Sequence, residues 1–359
     1  MNSPVTDEIL SLVFLFYVRP GPGIQADLAL MDGWQDRLGE RWEAVQDKWA
    51  AWDVAPVLTV SLFLFVVFLS GLGWYWSREP DVMRVAANES DKRGQVLARA
   101  LAQVSTALHD KPGGYLRNDL FPPGLLLDNL PAWELGVLQQ VRDMTRALHR
   151  DMSLSHAQFI EDQDLAVAES AFNVKPESWL FPVAERELVR GSGALESYGL
   201  RLGKGEAGFY AREAYLHRWL VDVDAGLGLL STRLNAALPD HASVLPVADS
   251  ARVPHLAKTA WLQIDDVFYE ARGNAWALLH LLKAVEVEFG PELGRRQALL
   301  SLRAAIHELE ATQQTLWSPV VLNGSGFGLF ANHSLVMANY LNRAQTDLAD
   351  VRHLLVESD

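Results

Sequence analysis

The chain has 359 residues, 49% of them hydrophobic, so it is long enough for one large domain and far too apolar for a disordered protein. Its 31 basic and 45 acidic residues give a formal net charge of −14, which argues against nucleic acid as a partner and requires any membrane attachment to be hydrophobic. Cysteine is absent, which excludes disulfide bonds, thiolate catalysis and cysteine-ligated metals.

Residues 1–54 precede the longest apolar stretch, and we assign them to a cytoplasmic segment. Residues 9–18 are apolar but too few to cross a bilayer as a helix. Because an Arg-Pro-Gly-Pro-Gly break follows them, one hypothesis is that translation begins at Met31 and that residues 1–30 are not translated. From Met31 to Trp52, large apolar residues recur at helical spacing, which indicates an amphipathic helix at the membrane surface.

Residues 55–77 are the predicted transmembrane helix. No charged residue occurs between Asp53 and Arg78, a stretch that would measure about 36 Å as a helix, against about 30 Å of hydrocarbon. Aromatic residues typical of the membrane interface flank both ends: Trp49, Trp52, Trp74, Tyr75 and Trp76. A buried core helix is the alternative, but such a helix rarely reaches this length without a strongly polar residue.

The region after the span has a helical pattern nearly throughout, and sustained strand-type alternation is missing. The predicted helices cover approximately residues 82–109, 131–152, 153–172, 183–202, 206–238, 256–289, 290–317 and 332–359. Residues 239–254 are the best internal boundary, which we interpret as a loop within one bundle, with two separate domains as the alternative. The sequence therefore predicts an all-α fold, with a single N-terminal transmembrane helix followed by a bundle of long helices joined by Gly/Pro-rich loops.

Three sequence stretches are similar to a known bacterial family. They are Lys-Pro-Gly-Gly-Tyr-Leu at 111–116 with the segment 123–129, the stretch Ile-Asp-Asp-Val-Phe-Tyr-Glu-Ala-Arg-Gly at 264–273, and the segment 310–334. In this order they resemble the bacterial domain of unknown function 2333 family, from about residue 74 to the end of the chain. The resemblance implies a Gram-negative envelope protein anchored by one N-terminal helix, and it implies no activity and no catalytic residue.

The flanking charges leave the orientation of the span open, because basic residues are nearly balanced on its two sides. We favour an uncleaved signal anchor whose short N-terminal side lies in the cytoplasm. This choice predicts a single-pass protein of the bacterial inner membrane. Residues 78–359 would then form a helical periplasmic domain.

The most chemically promising residues lie in the stretch that begins with the Ile-Asp-Asp motif. Asp266 and Glu270 are four residues apart, so their carboxylates share one helix face, and Asp265 and His280 lie near that face. Such a group could bind a hard cation or carry out acid–base chemistry. The alternative is that the carboxylates face solvent or are neutralised by Arg272 and another arginine, and that His280 is a hydrogen-bonded helix histidine.

Two glycine-containing loops form the second candidate site. The loop at 323–328 lacks the Lys-Ser/Thr of a P-loop, so we interpret it as a tight turn, with anion binding at the next helix as the alternative. If it meets the loop at 111–115, the two would form a ligand or partner surface with polar groups at its rim. The candidate residues are Gly113, Gly114, Tyr115, Asp128, Asn129, Asn323, Gly324, Gly326 and His333.

These observations predict a membrane-anchored envelope protein that acts as a non-enzymatic scaffold or interaction module. Its expected partners are the lipid bilayer, through residues 55–77, and another envelope protein or a second copy. We expect no cofactor, no metal and no nucleic acid. The alternative is a periplasmic enzyme or metal-binding protein that acts on an envelope polymer through Asp265, Asp266 and Glu270. No Gly-x-Ser-x-Gly motif supports a serine nucleophile.

Overall fold

The computed structural model describes residues 54–154, 161–236, 264–314 and 333–356. The chain divides into two compact units, Met1–Val67 and Phe68–Asp359. The predictions for residues 1–53, including a start at Met31 and a helix at the membrane surface, lie outside the described residues. The proposed internal boundary at 239–254 also lies outside them.

The first described helix, α1, is Val54–Trp76 and contains no charged residue. Its length of about 34 Å follows from the helical rise per residue. The part from Pro56 to Trp76 is long and apolar enough to cross a membrane, and only 6% of its most apolar window is buried. A core helix would be mostly buried, so the alternative of a core helix does not hold.

All regular structure in the described part of the second unit is helical, which confirms the all-α class. The helices that follow α1 are α2 Gln95–Asp110, α3 Asn129–Ala147, α4 Gln163–Phe172, α5 Ala184–Lys204, α6 Glu213–Ala236, α7 Ile264–Glu288, α8 Gly290–Arg295, α9 Leu299–Thr312 and α10 His333–Val356. A short 3-10 turn at Gly124–Leu126 precedes α3, and a π turn at Leu148–Met152 follows it.

The predicted helix over 82–109 is wrong in its first part, because α2 begins at Gln95. Gly94 has φ +86°, outside the right-handed helical region, so it separates α2 from the preceding segment; a Cβ there would meet the Phe209 side chain at 2.3 Å, so the position favours glycine. The first N–H groups of α2 find their hydrogen-bond acceptor in a residue far away in the sequence. The Glu288 carboxylate accepts from Gly94 N at 2.6 Å and from Val96 N at 2.8 Å.

Other predicted helix boundaries also shift. The helix predicted from 153 begins at Gln163, where the Asp162 side chain accepts from Asp164 N and Leu165 N. The helix predicted from 206 begins at Glu213, because the preceding segment bonds to other elements: Tyr210 N donates to Met152 O at 2.7 Å. The helix predicted over 290–317 is divided into α8 and α9. Between them Gln297 has φ +57°, and Ala298 N donates back to Leu293 O at 2.9 Å.

Helix α7 is the centre of the bundle. Every residue from Glu270 to Leu282 is buried, so this helix is enclosed on all sides rather than amphipathic. It packs against α2, α3, α6, α8, α9 and α10. The side chains on α7 are therefore the ones that position the rest of the fold.

The crossing of α3 and α7 is a backbone contact. A Cβ on Gly136 would lie 2.0 Å from Glu270 O, and a Cβ on Gly273 would lie 2.1 Å from Trp133 O. Either approach is closer than any side chain allows, so both positions require glycine. Trp133 and Trp276 pack beside the crossing with ring centroids 5.1 Å apart.

The segment between α1 and α2 runs alongside α7 in the same direction. Arg272 donates to Glu79 at 2.7 Å, Met83 N donates to His280 at 2.8 Å, and Gly94 N donates to Glu288 at 2.6 Å. Since Glu79 follows the last residue of α1 by three positions, the N-terminal half of α7 lies close to the C-terminal end of α1.

Candidate functional site

A cleft at the N-terminal end of α7 gathers charged residues from four parts of the second unit. We call it the acidic cleft; its volume is 490 Å³. Its ionisable lining consists of Arg117, Asp128, Glu177, Arg233, Asp266 and Glu270. Four carboxylates and two guanidinium groups give this lining a formal charge of −2. The cleft therefore favours cationic groups.

A groove of 670 Å³ between α2 and α5 is larger than the acidic cleft. Its apolar wall includes Leu195 and Leu200. The two basic side chains that line it are engaged in ion pairs, since Arg99 pairs with Asp91 at 2.6 Å and Lys111 pairs with Glu134 at 2.5 Å. We therefore place the candidate site in the acidic cleft, where the residues that the sequence singled out converge.

Glu270 is neutralised by an arginine from another helix. Arg233 on α6 binds it in a bidentate ion pair, with N–O distances of 2.7 and 2.8 Å. Arg272 is turned away, toward Glu79 and the carbonyl oxygens of Thr312 and Gln314 at the end of α9. The sequence-based alternative expected neutralisation by Arg272 and another arginine, but the contact to Glu270 comes from Arg233. Glu270 is thus a structural partner of α6.

Asp266 is the carboxyl group of the cleft whose pKa is raised. Burial raises its pKa, and the nearby charges of Asp265 and Asp128 raise it further, while Arg117 opposes the shift. Asp265 and Asp266 also occupy the first turn of α7, where negative charge stabilises a helix. This placement accounts for both residues without any ligand, so the raised pKa alone assigns no chemistry.

His280 lies outside the acidic cleft and has a structural position. Its Nε2 accepts from Met83 N at 2.8 Å, which leaves Nδ1–H to donate to Trp276 O at 2.6 Å. Burial lowers its pKa to about 4, so the imidazole is neutral. Ten residues of helix separate it from Glu270, about 15 Å along the axis. The structure therefore does not bring His280 to the carboxylates.

The loop at 111–116 is built around a buried ion pair. Lys111 Nζ lies 2.5 Å from Glu134 Oε1, and both side chains are almost fully shielded from solvent. The same carboxylate accepts from Leu116 N and Arg117 N, each at 2.9 Å. Burial raises the pKa of Glu134, while Lys111 and the two N–H groups oppose the shift. The Lys-Pro-Gly-Gly-Tyr-Leu motif thus has a structural role: it ties this loop to α3 and so positions Arg117, which lines the acidic cleft.

Tyr115 was expected at the rim of a ligand surface, and this expectation is wrong. Its side chain is only 2% exposed, and burial raises the pKa of its hydroxyl. Gly113 and Gly114 are half-buried, and the ring of Trp76 packs over Gly113, where a Cβ would lie 2.8 Å from it. Within this loop, Gly113 thus contacts Trp76 at the end of α1.

The remaining residues of the predicted loop surface have different positions. Asp128 is exposed and begins α3, where it accepts from the half-buried Asn129 N at 2.9 Å. His333 begins α10 half-buried, with its ring centroid 6.3 Å from that of Phe268, and burial lowers its pKa. Asn323, Gly324 and Gly326 lie outside the described residues, so a meeting of the two loops stays a prediction.

The structure joins parts of two sites that the sequence analysis kept apart. Asp128 was predicted in the surface formed by the two glycine-containing loops, and it lines the same cleft as Asp266 and Glu270, which were predicted as an acid–base or cation site. Sequence reasoning missed Arg117 and Arg233. Arg117 directly follows the Lys-Pro-Gly-Gly-Tyr-Leu motif and could have been found by its position, whereas nothing in the local pattern marks Arg233. Within the described ranges, no three His, Asp or Glu side chains are arranged to hold a metal ion.

Comparison with known proteins adds family membership. The family model described as an uncharacterized protein conserved in bacteria, DUF2333, matches residues 45–358. The match includes all of α1, so the expected start of the likeness near residue 74 is too late. No curated protein and no solved structure matches the chain. The suspected family is confirmed, and this chain is a member of the bacterial DUF2333 family.

Proposed function

We propose that this protein is anchored in the bacterial inner membrane by α1 and that its helical domain acts in the periplasm as a non-enzymatic scaffold or interaction module. The observation that carries the proposal is how α7 uses its polar side chains. Glu270 holds α6, Arg272 holds the end of α9, and His280 holds the segment before α2. These three residues, which could have carried chemistry, are thus engaged in holding neighbouring elements of the fold.

The acidic cleft is the proposed contact site of this scaffold. With Glu270 neutralised by Arg233 and Glu177 paired to Arg117 at 2.9 Å, the charge left in the cleft comes from Asp128 and Asp266. A lysine or arginine side chain of a partner would satisfy both carboxylates and relieve their mutual repulsion. The partner chemistry that fits is therefore a basic segment of another envelope protein.

Site-specific photo-crosslinking of the full chain in its native membranes tests this proposal. A photoreactive residue at Leu135, which lines the acidic cleft, should give a discrete adduct with one protein, and the pair Asp128→Asn and Asp266→Asn should reduce that adduct at least severalfold. The same probe at Leu300, which is 76% exposed on α9, is the matched control. Equal adducts from both positions, or adducts unchanged by the charge removal, would contradict a cleft-based scaffold.

The raised pKa of Asp266 supports a second candidate, an enzyme that uses this carboxyl as an acid or base on an envelope polymer. Complementation of a deletion strain separates the two. If Asp265→Ala and Asp266→Ala both restore the wild-type phenotype, catalysis at these residues is excluded. If Asp266→Asn abolishes complementation while leaving the Leu135 adduct intact, the enzyme is favoured and the scaffold proposal is wrong.

A further inference from the structure

Two surface loops of the second unit carry large apolar side chains that point into solvent. The first, at 120–127, has the sequence Leu-Phe-Pro-Pro-Gly-Leu-Leu-Leu, and the second, at 179–182, has the sequence Trp-Leu-Phe-Pro. Neither contains a charged residue. Phe121 is 79% exposed, Leu126 is 72% exposed and Phe181 is 85% exposed. We call these two segments the apolar loops.

Hydrogen bonds show that the apolar loops are ordered turns. In the first loop, Leu126 N donates to Pro123 O at 2.9 Å, one of the bonds that close the 3-10 turn. In the second, Ser178 Oγ donates to Pro182 O at 2.6 Å, and Ala184 N donates to Ser178 O at 2.9 Å. The fold therefore holds these apolar side chains outward.

The bases of the apolar loops are joined to each other. Asn118, two residues before the first loop, donates from Nδ2 to Ser178 O at 3.3 Å. Arg117 pairs with Glu177 at 2.9 Å. The loops thus belong to one surface, and exposed apolar side chains gathered on one surface mark an interaction site.

The first apolar loop also touches the last turn of α1. A Cβ on Gly73 would lie 3.5 Å from Pro123 Cβ and 3.8 Å from Leu127 Cδ2. Gly73 precedes the end of α1 by three residues, which is about 4.5 Å along the helix axis. The contact therefore lies at the level of the aromatic residues that end this helix.

Those aromatic residues have the features of a membrane interface. Trp74 is 68% exposed, and the Arg78 guanidinium carbon lies 4.4 Å from the centroid of its ring. Tryptophan and tyrosine with a cationic neighbour are typical of the level of the lipid headgroups. Since the first apolar loop contacts Gly73, it lies at the same level relative to the bilayer as these aromatic residues.

We propose that the apolar loops insert into the lipid interface beside the C-terminal turn of α1, so that the helical domain is attached to the bilayer at three places. The inference rests on the proposed membrane span of α1. Lipid is the occupant that fits, because the surface continues from a helix end at the interface and consists of uncharged Trp, Phe and Leu side chains. A net charge of −14 requires this attachment to be apolar rather than electrostatic.

The insertion places the acidic cleft at the membrane surface. Asp128 directly follows the first apolar loop, and Glu177 precedes the second by two positions. Both residues line the cleft. The segment that binds in the cleft would therefore lie close to the bilayer. It would be a basic juxtamembrane segment of another membrane protein.

Depth-dependent fluorescence quenching of the full chain tests the insertion. Because the chain has no cysteine, one environment-sensitive fluorophore can be attached at Phe121→Cys, Leu126→Cys or Phe181→Cys after reconstitution into vesicles of phosphatidylethanolamine and phosphatidylglycerol. Leu300→Cys is the matched exposed control, and Phe65→Cys reports on the span itself. The loop labels should be quenched by headgroup-level nitroxide lipids and be at least threefold less accessible to aqueous iodide than the Leu300 label.

Each other outcome overturns the inference in a recognisable way. Loop labels as accessible to iodide as the Leu300 label, with the Phe65 label quenched by lipid, would remove the insertion and leave the span intact. A Phe65 label that lipid does not quench would remove the span together with the insertion. Loop labels that are protected in native membranes but exposed in pure lipid vesicles would show that a protein covers the loops.

Discussion

Lys111 and Glu134 form an ion pair with a separation of 2.5 Å and almost no solvent exposure. Two backbone N–H groups from the following residues, at Leu116 and Arg117, bind the same carboxylate. The pair thereby ties the loop that supports the end of α1 to α3, the helix that crosses α7. Its integrity is a condition for the geometry of both the cleft and the apolar loops.

Glu134→Ala should lower the free energy of unfolding by about 3–5 kcal/mol, because it leaves the Lys111 ammonium buried without its partner. The double change Lys111→Met with Glu134→Leu should recover only part of this loss, since it removes both charges but leaves the Leu116 and Arg117 N–H groups without their acceptor. Chemical unfolding of the full chain in detergent micelles, followed by near-UV circular dichroism of the tryptophans, measures the difference. A single variant as stable as the wild type would show that the pair does not hold the loop.

Gly273→Ala should destabilise the protein by about 1–3 kcal/mol, because its methyl group would overlap Trp133 O, 2.1 Å from the Cβ position. Gly226→Ala on α6 is the matched control. A Cβ on Gly226 meets nothing within 4 Å, so this change should stabilise the helix by up to about 1 kcal/mol. Thermal unfolding of both variants measures the contrast, and equal effects would mean that α3 and α7 are not in backbone contact.

The unfolding free energy should fall as the pH drops from 6.5 to 4, because His280 has a pKa of about 4 in the fold and an ordinary value of 6.5. Between these values the unfolded chain binds a proton that the folded protein excludes, so stability is lost on acidification. The loss attributable to His280 approaches about 3 kcal/mol. His280→Gln should flatten the profile over this interval once its packing cost at pH 8 is subtracted. An unchanged slope would contradict a neutral, buried imidazole.

Cysteine labelling should place the helical domain in the periplasm. Leu300→Cys should react with a membrane-impermeant maleimide when only the outer membrane is permeabilised. Ala44→Cys, which precedes α1, should react only after the inner membrane is disrupted. The reverse pattern would invert the proposed orientation, and labelling of both positions under the first condition would contradict the span.

The extent of α1 and the all-α class follow from the sequence by itself. A long uncharged run and helical periodicity act over neighbouring residues, so they are legible without knowledge of the fold. The start of α2 at Gln95 could not be read in this way, because its cap is Glu288, 194 residues from Gly94 along the chain. The neutralisation of Glu270 likewise could not be read from the sequence. Only the packing of α6 against α7 brings an Arg233 guanidinium nitrogen to 2.7 Å from the Glu270 carboxylate.

In the candidate site, too, some features follow from local sequence and others from tertiary packing. The sequence determined that Asp266 and Glu270 share a helix face, since that is a matter of spacing. Only the tertiary structure decided that Asp128 joins them, that Tyr115 is buried and that the first apolar loop lies beside the end of α1. These outcomes depend on which faces of distant helices meet, and that choice is made by the total burial and pairing of the fold rather than by any local pattern.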